Sequence, residues 1–123
     1  MDEAAKSKKR VLVVDDEPSM LRFIRVSLTV SGYEVITTTS GQEALRLVES
    51  EKPDIMLLDI LMAPVTGFDV LERLRAFSEM PVIVFTAQSR ITKQALELGA
   101  SDSIGKPFRP DELVTRIRAI IGS

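Results

Sequence analysis

Five short strand-like stretches, three of them continuously apolar, each followed by a segment whose apolar residues recur at helical spacing, alternate along the 123-residue chain. This alternation leaves few folds open. Val11 to Val14 leads into Met20, Leu21, Ile24 and Leu28, with Pro18 placed for a first helical turn. Tyr33 to Thr37 leads into Ala44, Leu45 and Val48 behind Ser40, an N-cap residue. Ile55 to Leu58 runs through a loop holding Ala63, Pro64 and Gly67 into Phe68, Leu71 and Leu74. Val82 to Phe85 precedes Ile91, Ala95 and Leu98, a short helix ended by Gly99 at its C′ position. Asp102 to Gly105 is the weakest strand, and the clearest helix follows it, with Leu113, Val114, Ile117, Ile120 and Ile121 on one face after Pro110.

Strand-helix units joined by short connections call for parallel strands with helices on both faces. A central strand of such a sheet is covered on both sides and reads as uniformly apolar, whereas an edge strand tolerates polar residues. Strands one, three and four are uniformly apolar; strands two and five carry Glu34, Thr37, Asp102 and Ser103. The expected architecture is a flavodoxin-like, doubly wound (βα)5 fold with a five-stranded sheet of order 2-1-3-4-5. Its topological switch point then lies beside strands one and three, where open α/β sheets bind ligands outside the carboxyl ends of the strands.

Composition narrows the chemistry. The chain contains no cysteine and no histidine, which excludes disulfides, thiolate and imidazole metal ligands, cysteine nucleophiles, serine-histidine hydrolysis and a phosphohistidine of its own. Cysteine-free composition suits a reducing compartment, and a cytoplasmic location is expected. With 45% hydrophobic and 28% charged residues the chain can bury a core and stay in solution. No apolar run approaches the roughly 20 residues of a membrane helix. Residues 1–8 read as a solvated tail and residues 9–123 as one domain. The net charge is −2, and beyond Arg10 the chain carries −4, which argues against direct nucleic-acid or anionic-membrane binding.

The expected topology brings five chemically distinct side chains to one sheet edge: Asp15 and Asp16 after strand one, Asp59 after strand three, Thr86 after strand four and Lys106 after strand five. Singly, each has an ordinary reading as a cap, a turn residue or a solvated charge. Together they do not, because a close carboxylate pair at about 4 Å costs about 4 kcal/mol at an effective dielectric near 20, and one lysine cannot offset three acids. A hard divalent cation can, and all-oxygen ligation in a small hydrated site suits Mg²⁺. One carboxylate is then free to act as a nucleophile toward phosphorus, with Thr86 and Lys106 donating to the phosphoryl oxygens. Neither G-x-x-x-x-G-K-[ST] nor G-x-G-x-x-G occurs, so the donor is not a nucleotide cradled by such a loop.

These residues resemble the receiver domains of two-component response regulators. The matching pieces are the apolar strand into Asp15-Asp16-Glu17-Pro18, the Leu57-Leu58-Asp59 strand end, Pro81 to Ala87 with its Thr86-Ala87 pair, Gly99-Ala100 before Asp102, and Lys106-Pro107-Phe108. The likeness runs over about residues 8 to 121. It implies that Asp59 accepts a phosphoryl group from a sensor histidine kinase or histidine phosphotransfer protein. Asp15, Asp16, Asp59 and the Leu61 carbonyl would hold Mg²⁺; Thr86 would move to the phosphate and Lys106 pair with it. A conformational change would follow, read by a homodimer partner or output domain through the helix-4, strand-5, helix-5 face, with no turnover of a separate substrate. The Lys106-Pro107 bond is expected to be cis.

Ser103 stands where the family usually carries an aromatic side chain, the stretch from Thr86 to Gly99 is about two residues shorter than usual, and the loop proline comes one residue late, at Pro64. The competing reading is a receiver-like docking or dimerisation module that does not depend on phosphorylation. A flavodoxin-like electron carrier is disfavoured because Asp15-Asp16-Glu17 would repel a flavin phosphate. A Mg²⁺-dependent phosphatase is disfavoured because its usual spaced acid pair on strand one is missing.

Overall fold

The computed structural model describes residues 8–122. Its strands are β1 (Arg10–Val14), β2 (Glu34–Thr38), β3 (Ile55–Asp59), β4 (Val82–Thr86) and β5 (Asp102–Gly105). The helices between and after them are α1 (Pro18–Val30), α2 (Gly41–Glu51), α3 (Gly67–Arg75), α4 (Thr92–Glu97) and α5 (Pro110–Ile121). All four strand pairings are parallel and the order is β2-β1-β3-β4-β5, the flavodoxin-like order expected from strand polarity. The residues expected to form the tail, 1–8, lie outside the described residues except for Lys8, which is exposed.

Because side chains alternate along a strand, each central strand feeds two cores. Val11, Val13, Ile55, Leu57, Ile83 and Phe85 pack under Ile24, Leu28 and Ile117 of α1 and α5. Leu12, Val14, Met56, Leu58, Val82 and Val84 pack under Ala44, Leu71, Leu74 and Ala95 of α2, α3 and α4. Every residue of β3 and β4 is buried, whereas β2 is mostly half-exposed, which is why the continuous apolar runs marked the centre. Each fully buried leucine or isoleucine contributes roughly 2 kcal/mol of transfer free energy.

The helix starts follow their local chemistry. Ser40 caps α2 by accepting the Glu43 amide at 3.0 Å. Pro18 and Pro110 occupy the first turns of α1 and α5. Gly67, expected in the loop, is instead the first residue of α3, because Thr66 and Asp69 form a reciprocal capping box that sets the boundary one residue earlier. Ile91, expected in the fourth helix, belongs to a 3-10 turn (Ser89–Ile91) ahead of the six-residue α4. Gly99 follows α4 with φ +108, the left-handed conformation that favours glycine. The Lys106–Pro107 bond is cis as expected, and Ala63–Pro64 is cis as well.

Candidate functional site

The carboxyl ends of β1, β3, β4 and β5 converge on one edge of the sheet. Asp15 follows β1 directly, Asp59 ends β3, Thr86 ends β4, and the Lys106 amide donates to the Thr86 carbonyl at 2.9 Å, which turns the segment after β5 toward the same edge. Oxygens of Asp15, Asp16 and Asp59 lie within 4.8 Å of one another. Asp15 and Asp59 are buried and Asp16 is exposed, so the cluster opens to solvent on one side.

Few donors satisfy these acids. The Glu17 amide donates to Asp15 Oδ1 at 2.9 Å, and the Leu61 amide donates to Asp59 Oδ1 at 3.2 Å. Lys106 Nζ stands 3.4 Å from Asp15 Oδ2 and 3.6 Å from Asp59 Oδ1. Burial pushes the Asp59 carboxyl up from its ordinary value, the neighbouring Asp15 charge adds to this, and Lys106 and the Leu61 amide only partly oppose it, leaving it at about 6. One ammonium therefore leaves the three acids under-compensated. An all-oxygen donor set with excess negative charge and one open side fits a hard divalent cation, so these residues could hold a metal ion.

That balance has a pH consequence. A cation must displace the Asp59 proton once the pH falls below about 6, so divalent affinity is expected to drop about tenfold per pH unit there. Calorimetric titration at pH 7 and pH 5 checks this, and equal affinity at the two would remove Asp59 from the ligand set.

The structure thus brings together Asp15, Asp16, Asp59 and Lys106. Thr86 is buried at the adjacent strand end, where its Oγ1 accepts the Gln88 amide at 3.0 Å. Leu61 contributes its backbone to Asp59, while its side chain stands 48% exposed beside the site. Three features are not legible in the sequence. Phe85, which the apolar run marks only as a core strand residue, lies with its ring centroid 4.8 Å from Lys106 Nζ. Gly67 presses against the backbone of Asp59 and Ile60. Arg116 of α5 holds both carboxylate oxygens of Asp102, at 3.1 and 3.0 Å, and the Ser103 carbonyl at 2.9 Å. The signal available for the last was a basic residue on α5 within reach of an acid on an edge strand.

The family model for the response regulator receiver domain matches residues 11–118. The chain belongs to this family. The receiver domain is 41% identical over 123 residues to the "Probable transcriptional regulator ycf27" of Guillardia theta, covering 98% of this chain and 48% of that protein. It is 45% identical over 113 residues to the transcriptional regulatory protein KdpE of Mycobacterium tuberculosis, covering 90% of this chain and 50% of that one. The chain therefore spans about half the length of the curated relatives it matches. Among solved structures, the receiver domain resembles the BeF3-activated N-terminal receiver domain of Klebsiella pneumoniae RstA (TM-score 0.88, 28% identity, covering 94% of this chain and 100% of that one). It also resembles the Vibrio cholerae chemotaxis protein CheY4 (TM-score 0.85, 30% identity, covering 93% and 99%). Among the described residues no helix is long and apolar enough to cross a membrane.

Proposed function

We propose that residues 9–123 form a phosphorylation-driven switch in which Asp59 is the phosphoacceptor and a sensor histidine kinase or histidine phosphotransfer protein is the donor. The observation that carries this reading is the Asp59 carboxylate, buried at the switch point beside two further acids and one ammonium. Likeness to a receiver domain recorded in a BeF3-activated form supports it. In the proposed step an Asp59 oxygen forms a bond to phosphorus as the P–N bond of the donor phosphohistidine breaks and its electron pair returns to the imidazole. Lys106, already 3.6 Å from Asp59, takes up a phosphoryl oxygen. Thr86, whose Oγ1 accepts the Gln88 amide, turns its hydroxyl to donate to the same group, and this movement begins the conformational change. Asp15, Asp16, Asp59 and the Leu61 carbonyl would hold Mg²⁺, which supplies positive charge against the carboxylates and the phosphoryl oxygens. A cytoplasmic location and the absence of turnover on a separate substrate belong to the same reading.

A homodimer partner or an output domain is proposed to read the switch through the α4, β5 and α5 face. Ser103 on that face has no ring to swing inward, and Arg116 ties its carbonyl and Asp102 to α5. This one observation favours the second reading, a docking module that works without phosphorylation. Incubation with Mg²⁺ and acetyl phosphate followed by intact mass measurement separates the two. One added phosphoryl group is expected, absent from Asp59→Asn and from protein chelated before the donor is added; no added mass on the folded protein would leave the docking reading in place.

Leu61 adds a kinetic expectation. Its exposed apolar side chain stands two residues past Asp59, where attacking water must approach. Leu61→Asn is expected to shorten the lifetime of the phosphoaspartate severalfold, since an amide can orient water whereas leucine excludes it. Decay of the added mass after donor removal measures this, and equal or slower decay in the variant counts against the role.

A further inference from the structure

We propose that Phe85 is a positioning residue for Lys106: its ring face is the third wall, beside Asp15 and Asp59, that fixes where the ammonium sits. The consequence for phosphoryl uptake rests on the phosphoacceptor reading above; the geometry does not. Charge-assisted N–H···O contacts typically close to about 2.7–2.9 Å. Lys106 Nζ stands instead at 3.4 Å from Asp15 and 3.6 Å from Asp59, collapsed onto neither, and 4.8 Å from the centroid of the Phe85 ring. A lysine side chain gives up much rotamer freedom when ordered, and two long ionic contacts define its end poorly. The negative face of an aromatic ring within about 6 Å attracts a cation, more strongly when water is excluded, and Phe85 is 1% exposed.

The ring is itself clamped. Phe108, two residues beyond Lys106, meets Phe85 almost perpendicularly at 5.9 Å, the edge-to-face arrangement that aromatic pairs prefer. Phe23 of α1 in turn meets the Phe108 ring at 6.3 Å, tilted by 44°. The segment that carries the lysine thus also pins the ring beneath it. An ammonium held this way is kept between the two acids without being consumed by either, and stays available to a phosphoryl oxygen. An aliphatic residue at position 85 would keep this part of the core apolar but would leave the cation unsupported.

Two measurements test this. In the metal-free protein the ε-methylene protons of Lys106 are expected to resonate upfield of their free-lysine position through the ring current of Phe85, and to return toward it in Phe85→Leu. No ring-current shift in the parent overturns the proposal. With Mg²⁺ and acetyl phosphate, Phe85→Leu is expected to slow labelling about fivefold in the parent background and not at all in Lys106→Ala, because the ring acts through the lysine. Losses that simply add would mark a packing role and overturn it. Should Phe85→Leu fold poorly by circular dichroism, phenylalanine analogues of increasing ring fluorination at position 85 keep the shape and drain the ring face. A graded loss of rate supports the role and a flat series overturns it. If the parent takes up no phosphoryl group, the phosphoacceptor reading fails, while the ring-current measurement still decides the placement of Lys106.

Discussion

Asp59→Asn is expected to do two opposite things: abolish phosphoryl uptake from acetyl phosphate, and raise the melting temperature of the metal-free protein at pH 7. The first follows because the amide offers no carboxylate nucleophile. The second follows from the Asp59 carboxyl, which burial and the Asp15 charge hold at about 6 in the folded chain, above the 3.8 of an ordinary aspartate. A carboxyl with a raised folded pKa favours the native state most below its unfolded pKa, and that contribution is lost as pH rises from about 4 through about 6. At pH 7 the parent therefore folds with an unfavourable buried charge, on the order of 1–2 kcal/mol after discounting for solvent screening. Asparagine removes the charge, keeps the shape and still accepts the Leu61 amide at Oδ1. Thermal denaturation of both proteins in chelator, at pH 7 and pH 4, checks the sign: the variant should melt higher at pH 7 and the gap should close at pH 4. A variant less stable than its parent at pH 7 would show that Asp59 is well compensated without a cation, and would remove the electrostatic case for metal binding. Added Mg²⁺ should then raise the melting temperature of the parent more than that of the variant, by mass action on the folded state alone.

Gly67→Ala is expected to be the most damaging single-methyl change near the site. A Cβ at this position would overlap the Asp59 carbonyl oxygen and come within 2.6 Å of the Ile60 Cα. Both are backbone atoms of β3 and the loop leaving it, so no side chain can swing away. The Gly67 amide also donates to the Ile60 carbonyl at 2.9 Å, which ties the first turn of α3 to the strand end that carries Asp59. Relief requires moving α3 or the end of β3, at a cost of about 3 kcal/mol. For a domain of this size that is about 10 °C in melting temperature. Gly105→Ala, where an added Cβ meets nothing within 4 Å, serves as the control and should change stability by less than about 0.5 kcal/mol. A Gly67→Ala melting temperature within about 2 °C of the parent would mean the loop yields freely. Because the displaced backbone is that of Asp59, divalent affinity should weaken as well.

Much of the architecture was legible in the chain because the signals involved are local or averaged over many residues. Val11 to Val14, Ile55 to Leu58 and Val82 to Phe85 are apolar on both faces, and only strands covered on both sides tolerate that. Glu34 and Asp102 marked the edges for the complementary reason, and strand order followed. Helix ends were legible where one residue carries the chemistry, as with Ser40 and Gly99, and not where two residues must cooperate, as with Thr66 and Asp69. The acids and the lysine of the site were readable because topology alone delivers strand ends to one edge.

Contacts between residues distant in sequence were another matter. That Gly67 lies on the Asp59 backbone, that Arg116 grips Asp102 and Ser103, and that Phe85 carries Lys106 all depend on how helices and loops settle on the sheet. Hydrophobic periodicity and parallel connection rules act along the chain, so the strands, the central ones among them and the side chains that reach the switch point can be read from residue order. How deeply Asp59 is buried, how incompletely its charge is balanced and what the ammonium rests on emerge from three-dimensional packing. Desolvation and Coulomb interactions at a few ångströms are set by the packed surroundings of a group, and its position in the sequence does not encode them.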